Sequence, residues 1–81
     1  MQELMAKKSK FELAVIQKVK EFREYRELGQ RDIAAILGVT EGFIGQIESP
    51  NSASKYNLNH LNTLAKELQC SPKDFIPENP L

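Results

Sequence analysis

The stretch from Gln30 to Ser49, QRDIAAILGVTEGFIGQIES, decides how the chain is expected to fold. It predicts two short helices joined by a tight turn, because apolar residues recur at helical spacing on both sides of Gly38. Gly38 can take the positive φ of such a turn at little steric cost. Thr40 is a favourable N-cap for the second helix, and Ala34 is small where the two helices would cross at close range.

The same register meets the physical demands of a helix-turn-helix unit over residues 30–49. Five apolar residues are predicted to fill the wedge between the two helices and the rest of the core: Ile33, Leu37, Val39, Ile44 and Ile47. The second helix, over residues 41–48, is expected to stop before Pro50, because a proline disfavours helical backbone in the residue before it.

Amphipathic segments flank this unit on both sides. Ser9 and Glu12 form a capping box at the start of a helix over about residues 10–27, which we expect to end near Gly29 in a left-handed cap. Its apolar stripe consists of Phe11, Val15, Val19 and Phe22. A loop is expected over residues 49–57. A fourth helix follows, for which Asn57 or Asn59 can serve as the N-cap, and its apolar stripe consists of Leu58, Leu61, Leu64, Ala65 and Leu68.

A last short helix is predicted after Ser71 and Pro72, which suit the N-cap and first helical positions. The sequence therefore predicts an all-α fold of five short helices and no strand. We expect a flexible segment over residues 1–8, one domain over residues 9–77 and a tail over residues 78–81. The tail end offers Phe75, Ile76 and Leu81 either to the monomer's own core or to a dimer interface.

Length and composition exclude several classes of protein. With 81 residues the chain fits one small domain, and no apolar run approaches the roughly 20 residues that cross a bilayer. The amino terminus lacks the pattern of a secretory signal. One cysteine, Cys70, and one histidine, His60, provide neither an internal disulfide nor a structural zinc site. We expect a cytoplasmic protein without metal or cofactor.

The net charge of zero conceals an uneven distribution of charge along the chain. Residues 1–31 contain eight basic and five acidic residues, whereas residues 32–81 contain three and six, so the two parts carry +3 and −3. Charge alone makes no case for nucleic acid, and an isoelectric point near 6.6 counts mildly against it.

From about Val15 to Ile76 the sequence resembles the phage repressor/Cro-type (XRE-type) helix-turn-helix DNA-binding domains of bacterial transcription regulators. The matching segments are VIQKVKEFREYRELGQRDIAAILGV, FIGQIE and LNTLAKELQCSPKDFI. The resemblance implies a compact, lambda-repressor-like domain of five helices. It also implies that the third helix reads DNA, often in a homodimer on a two-fold-symmetric operator.

The resemblance also implies roles for individual residues. Gln30 corresponds to a glutamine that typically touches phosphate, although it can also simply cap the helix in water. Arg23 and Glu48 fall where many members pair the first helix with the end of the third, which favours a structural pair over a DNA contact. The groove-facing positions are Thr40, Glu41, Gly42, Phe43 and Gln46. Asn51 and Lys55 lie in the loop that usually approaches the DNA backbone, and Arg31 adds a further positive charge.

The predicted recognition helix departs from this pattern because it contains no lysine or arginine. Gln46 is the best candidate for reading a base, since its amide can pair bidentately with adenine, but it is also an ordinary solvated residue. Phe43 is interpreted as a base contact, a partner contact or a local packing residue, and Lys55 as a phosphate contact or a solubilising residue. Gly42 and Gly45 each lower helix propensity by about 1 kcal/mol relative to alanine, a cost that a close backbone approach to DNA or a partner would explain.

Two functions follow as hypotheses. The first is a sequence-specific regulator of transcription, expected to be a repressor, that reads the major groove of double-stranded DNA with helix 41–48. The second is a protein-interaction or antitoxin-like adaptor on the same fold, with DNA binding that is weak or depends on a partner. Catalysis is not expected, because the sequence offers no nucleophilic triad, carboxylate pair or phosphate-binding loop.

Overall fold

The computed structural model describes residues 7–81, which contain four α-helices, one short 3₁₀ helix and no strand. The elements in chain order are α1 (Lys10–Tyr25), α2 (Gln30–Leu37), α3 (Glu41–Glu48), α4 (Leu58–Leu68) and the 3₁₀ helix (Pro72–Phe75). The predicted all-α class is confirmed. Of the predicted flexible segment 1–8, residues 1–6 lie outside the described residues.

The predicted number of five α-helices is wrong, because the last element is a 3₁₀ helix of only four residues. Its start is as predicted: Pro72 is at the first helical position, and the Ser71 hydroxyl accepts a hydrogen bond from the backbone N–H of Lys73. Pro77 follows so closely that the segment is too short to develop the i to i+4 hydrogen bonds of an α-helix.

The residue that forms the left-handed cap of α1 is not the one that the sequence predicted. The helix ends at Tyr25, and Glu27 rather than Gly29 takes the left-handed conformation, with a φ of 59°. The backbone N–H of Leu28 donates to the carbonyl of Arg23 at 2.7 Å, which closes a Schellman motif around Glu27. Gly29 is extended and serves as the N-cap of α2 instead. In this short connection, Glu27 therefore ends α1 and Gly29 begins α2.

The turn between α2 and α3 has the predicted residues in the predicted conformations. Gly38 has a φ of 71°, and the N–H of Val39 donates to the carbonyl of Ala34 at 3.0 Å. The Thr40 hydroxyl oxygen accepts a hydrogen bond from the N–H of Phe43 at 3.1 Å, which caps α3. Both helices therefore begin and end where the sequence places them.

The core lies where α1, α2, α3, α4 and the 3₁₀ helix meet. Its buried apolar residues are Val15, Ile16, Val19, Ile33, Ala34, Ile44, Ile47, Leu61, Leu64, Ala65, Leu68 and Phe75. Phe75 is fully buried and packs edge-to-face on Phe22, with ring centroids 5.4 Å apart, so it closes the monomer's own core. Leu58 is exposed, because the first side chain of α4 points back beyond the start of the helix.

No helix within residues 7–81 combines the length and the apolar character that a membrane crossing requires.

Candidate nucleic-acid interface

Helix α3 has one face in the core and one face in solvent. Ile44 and Ile47 have no exposed surface, and they pack among residues of α1, α2 and α4. Gly42 and Gln46 lie on the opposite face and are exposed, and Glu41 is exposed because it begins the first turn. The helical period of 3.6 residues separates these two sets, so α3 presents a polar strip outward from a fully buried apolar base.

A cluster of polar side chains holds the C-terminal end of α3. Arg23 of α1 makes a bidentate contact with the Glu48 carboxylate, with both nitrogen–oxygen distances 2.8 Å. Gln30 of α2 donates from its amide nitrogen to the same carboxylate at 2.9 Å. The side chains of Arg23 and Glu48 are only 11% and 5% exposed. The predicted pair therefore meets in a largely buried cluster that ties α1, α2 and α3 together.

The charges of this pair are matched to their burial. Burial alone raises the pKa of the Glu48 carboxyl, but the hydrogen bonds from Arg23 and Gln30, together with the Arg23 charge, hold it below its usual value. The hydrogen bond to Glu48 raises the pKa of Arg23 against the opposing effect of burial. Both groups are ionised at neutral pH, as a bidentate ion pair requires.

Gln30, which the resemblance assigns to phosphate binding, already uses its amide N–H in a hydrogen bond to Glu48 in this cluster. Its side-chain oxygen also lies against α3, since a Cβ atom at Gly45 would be only 3.4 Å from it. This distance is at the edge of ordinary van der Waals contact, so a methyl group at Gly45 would touch Gln30 without a severe clash. A Cβ atom at Gly42 would meet nothing within 4 Å, so the fold places no demand for glycine there.

Gln46, the predicted base reader, contacts the loop that follows α3. Its side-chain oxygen is 3.3 Å from the hydroxyl of Ser54, which can donate a hydrogen bond to it. Ser54 was not among the predicted site residues. Nothing in the loop's composition singles it out, because its contact depends on how residues 49–57 fold back beside α3.

Phe43 is half-buried, and its ring packs against the core and edge-to-face on His60, with centroids 6.2 Å apart. Phe43 therefore makes a local packing contact, and its interpretations as a base contact or a partner contact stay predictions. His60 is held in turn, because its Nδ1 accepts a hydrogen bond from the backbone N–H of Asn57 at 3.1 Å. In the part of the chain that the structure describes, no group of three or more histidine, cysteine or acidic side chains is placed to hold a metal.

The basic residues are distributed unevenly around α3. Lys55 forms an exposed ion pair with Glu12, with a nitrogen–oxygen distance of 2.7 Å. Such a pair contributes about 0–1 kcal/mol, so an incoming phosphate can displace Glu12 at little cost. Arg31 and Asn51 are exposed and make no side-chain hydrogen bond within residues 7–81.

Two lysines of α1 face in different directions. Lys20 lies in a groove with Glu48 and Pro50, next to the C-terminal end of α3. Lys18 lies beside Lys73 and Asp74, on the surface that α1 shares with the C-terminal residues. Of these two lysines, Lys20 is therefore the one placed to add positive charge next to α3, and Lys10 of α1 lines the same groove.

Lys8 is a second residue, besides Ser54, that the sequence interpretation missed. It was assigned to the flexible segment, yet it is only 5% exposed, and its ammonium lies at the C-terminal end of α3. It donates to the carbonyl oxygens of Gln46 at 3.3 Å and Ser49 at 2.7 Å, and also to that of Ile47. Burial lowers its pKa, and the nearby Glu12 carboxylate opposes that shift.

The sequence indicates that the C-terminal end of α3 is poorly capped, but it does not indicate that Lys8 caps it. Helix α3 has no basic residue in its last turn, and its C-cap, Ser49, is extended rather than left-handed. The free carbonyls at this end therefore depend on water or on a donor from another part of the chain. The sequence does not say which of the lysines reaches that point, because this depends on the path of the chain before α1.

No protein-family model, no curated protein and no solved structure matches this chain.

Proposed function

We propose that the chain is a sequence-specific DNA-binding regulator of transcription, with α2 and α3 acting as a helix-turn-helix unit of the XRE type. In this proposal α3 enters the major groove of double-stranded DNA, while α2 crosses the sugar-phosphate backbone. The observation that carries the proposal is the orientation of α3. The helix is anchored along one face and at its C-terminal end, and it turns its other face to solvent.

The outward face of α3 has side chains that suit the edges of bases. Gln46 carries an amide that can contact an adenine, and Glu41 can accept a hydrogen bond from the amino group of a cytosine. Gly42 has open space around it, so a base edge or a phosphate can approach the backbone closely there. Thr40, at the start of the helix, is exposed beside them.

Phosphate contacts are assigned to residues around α3. The N-terminus of α2 at Gln30, together with Arg31, offers backbone N–H groups and a positive charge, which favour an anion. Lys55 and Asn51 extend this surface along the loop after α3. A homodimer would place two such units on half-sites about 34–36 Å apart, and repression would follow where the site overlaps a promoter.

The substitution Gln46→Ala tests the assignment of the base reader. We expect it to weaken binding to the preferred site by about 1–3 kcal/mol and to relax the preference at a single base pair. Binding of a library of single-base variants of the site measures both effects. Asn62→Ala, which removes an exposed amide on α4, is the matched control and should leave the preferences unchanged. An equal loss on every sequence would make Gln46 a backbone contact instead.

A second candidate is a protein-interaction or antitoxin-like adaptor that docks through the same face. The acidic first turn of α3, with no lysine or arginine in the helix, favours it. Glu41→Lys separates the two functions, because it changes the charge of the exposed tip by two units. Binding to random duplex should strengthen through the added positive charge, whereas docking to a basic protein surface should weaken.

A further inference from the structure

The C-terminal end of α3 needs hydrogen-bond donors from outside the helix. The last four carbonyls of any α-helix have no partner within it. Helix α3 has only eight residues, two of them glycines, and it lacks a basic residue in its last turn. Ser49 is extended, with φ −87° and ψ 126°, and Pro50 follows, so a left-handed cap does not form there. Its own sequence therefore stabilises this end poorly.

Lys8 supplies those donors from the segment before α1. An ammonium group has three N–H donors, and the structure directs it to three carbonyls, those of Gln46, Ile47 and Ser49. Its positive charge also lies at the negative end of the α3 dipole, where a cation is favoured. With its donors used in this way, Lys8 is not available to bind phosphate.

We infer that Lys8 is a positioning residue for base reading. It holds the last turn of α3 and thereby fixes the backbone position from which the Gln46 side chain extends. This inference rests on the proposed function. Gln46 is held at two points, since Lys8 binds its backbone carbonyl and Ser54 contacts its side-chain oxygen. Without the ammonium, the Ile47 carbonyl must turn to water, and the carbonyls of Gln46 and Ser49 keep only the weaker backbone bonds from Ser49 and Ser52. The last turn then frays, whereas the phosphate-facing residues of α2 and the loop keep their places.

The inference predicts an effect on sequence preference rather than on salt dependence. Lys8→Met removes the ammonium but keeps the length and apolar character of the stem. Lys7→Met is the matched control, because Lys7 is the neighbouring lysine and is exposed. Lys8→Arg keeps a cation with several N–H donors and should restore part of the wild-type behaviour.

The experiment measures the dissociation constants of the four proteins for the preferred site and for random duplex, each at two salt concentrations. All are compared at a temperature where circular dichroism shows them folded. For Lys8→Met we expect the ratio of specific to non-specific affinity to fall about tenfold, the size of a favourable helix-end charge interaction. The slope of affinity against salt should not change, and Lys7→Met should keep the wild-type ratio.

Three results would overturn the inference. An equal loss on preferred and random duplex would leave Lys8 with a structural role only. A salt slope lower by about 0.9 would identify it as a phosphate contact. Unchanged amide hydrogen exchange of Ile47 and Glu48 in Lys8→Met would show that the ammonium does not hold the last turn, with or without DNA. A wild-type protein that prefers no sequence refutes the proposed function itself, and is recognised without any variant.

Discussion

The two ends of α3 are held in different ways. Its C-terminal end is bound by side chains from three other parts of the chain: Lys8 before α1, Arg23 on α1 and Gln30 on α2. Its N-terminal end has only the local cap from Thr40, and the side of Gly42 opens to solvent. One end is therefore positioned by tertiary contacts, and the other is free to meet a partner.

This difference explains how a helix of eight residues with two glycines is held in a defined position. Short helices are marginal on their own, and most of their stability in proteins comes from packing. Here the packing is concentrated on Ile44 and Ile47 and on the polar cluster around Glu48. Because this packing stabilises the helix, the residues at its N-terminal end, such as Gly42, need not favour helix formation.

The largest effect is expected at the anchored end. Glu48→Ala leaves the largely buried Arg23 guanidinium without its carboxylate and with only the Leu28 carbonyl as a partner. It should lower the free energy of unfolding by about 3–5 kcal/mol. Glu41→Ala, at the free end, should change it by less than about 1 kcal/mol. Urea denaturation at neutral pH measures both.

The double variant Arg23→Met with Glu48→Leu is the control for this prediction. Replacing both charges by apolar side chains of similar size should recover most of the lost stability, because no charge is then buried alone. Similar losses for Glu48→Ala and Glu41→Ala would contradict the difference between the two ends.

The same anchor should give the protein a defined sensitivity to acid. Because the pKa of Glu48 is lower in the folded chain than its usual value, its contribution is complete above the unfolded pKa of about 4.3 and is lost as the pH falls through the folded value. The free energy of unfolding should therefore drop between pH 5 and more acidic conditions, and Glu48→Gln should flatten that drop.

Glu12 provides the comparison, since the hydrogen bonds from Lys55 and Ser9 also lower its pKa. It titrates in the same window, but its pair with Lys55 is exposed, so Glu12→Gln should flatten the curve less. A pH curve for Glu48→Gln as steep as that of the wild type would show that the cluster does not hold the anchored end.

The smallest effect separates the two glycines of α3. Gly42→Ala should raise the free energy of unfolding by about 0.5–1 kcal/mol, because its methyl group meets open space and alanine favours the helix. Gly45→Ala should gain less, since its methyl group would touch the amide oxygen of Gln30. Thermal unfolding of the two variants measures the difference.

DNA binding is the second measurement for the two variants Gly42→Ala and Gly45→Ala. If the partner approaches the free end, Gly42→Ala should weaken binding although it stabilises the fold. Equal stability gains at both positions, or unchanged binding by Gly42→Ala, would argue against the proposed close approach.

Local features of the fold could be predicted because they depend on neighbours in the sequence. Gly38, Thr40 and the Ser9–Glu12 capping box act within a few residues, and the apolar spacing of α2 and α3 defines their buried faces. The left-handed cap of α1 was assigned to the wrong residue because Gly29 was needed at the next helix start.

The site was harder to predict, because its contacts join distant parts of the chain. Arg23 and Glu48 were paired through the family resemblance rather than from their spacing. Lys8 lies about 40 residues from the carbonyls that it binds, and Ser54 reaches Gln46 only through the path of its loop. No local pattern encodes such contacts, so they became visible only with the fold.

Selection of bound sequences from a random duplex library, followed by titration at two salt concentrations, tests the central claim most directly. The account predicts enrichment of one half-site or palindrome, with an affinity that falls as salt rises because phosphate contacts release counterions. No enrichment over random duplex at low salt would contradict it, and would assign the free end of α3 to a protein partner instead.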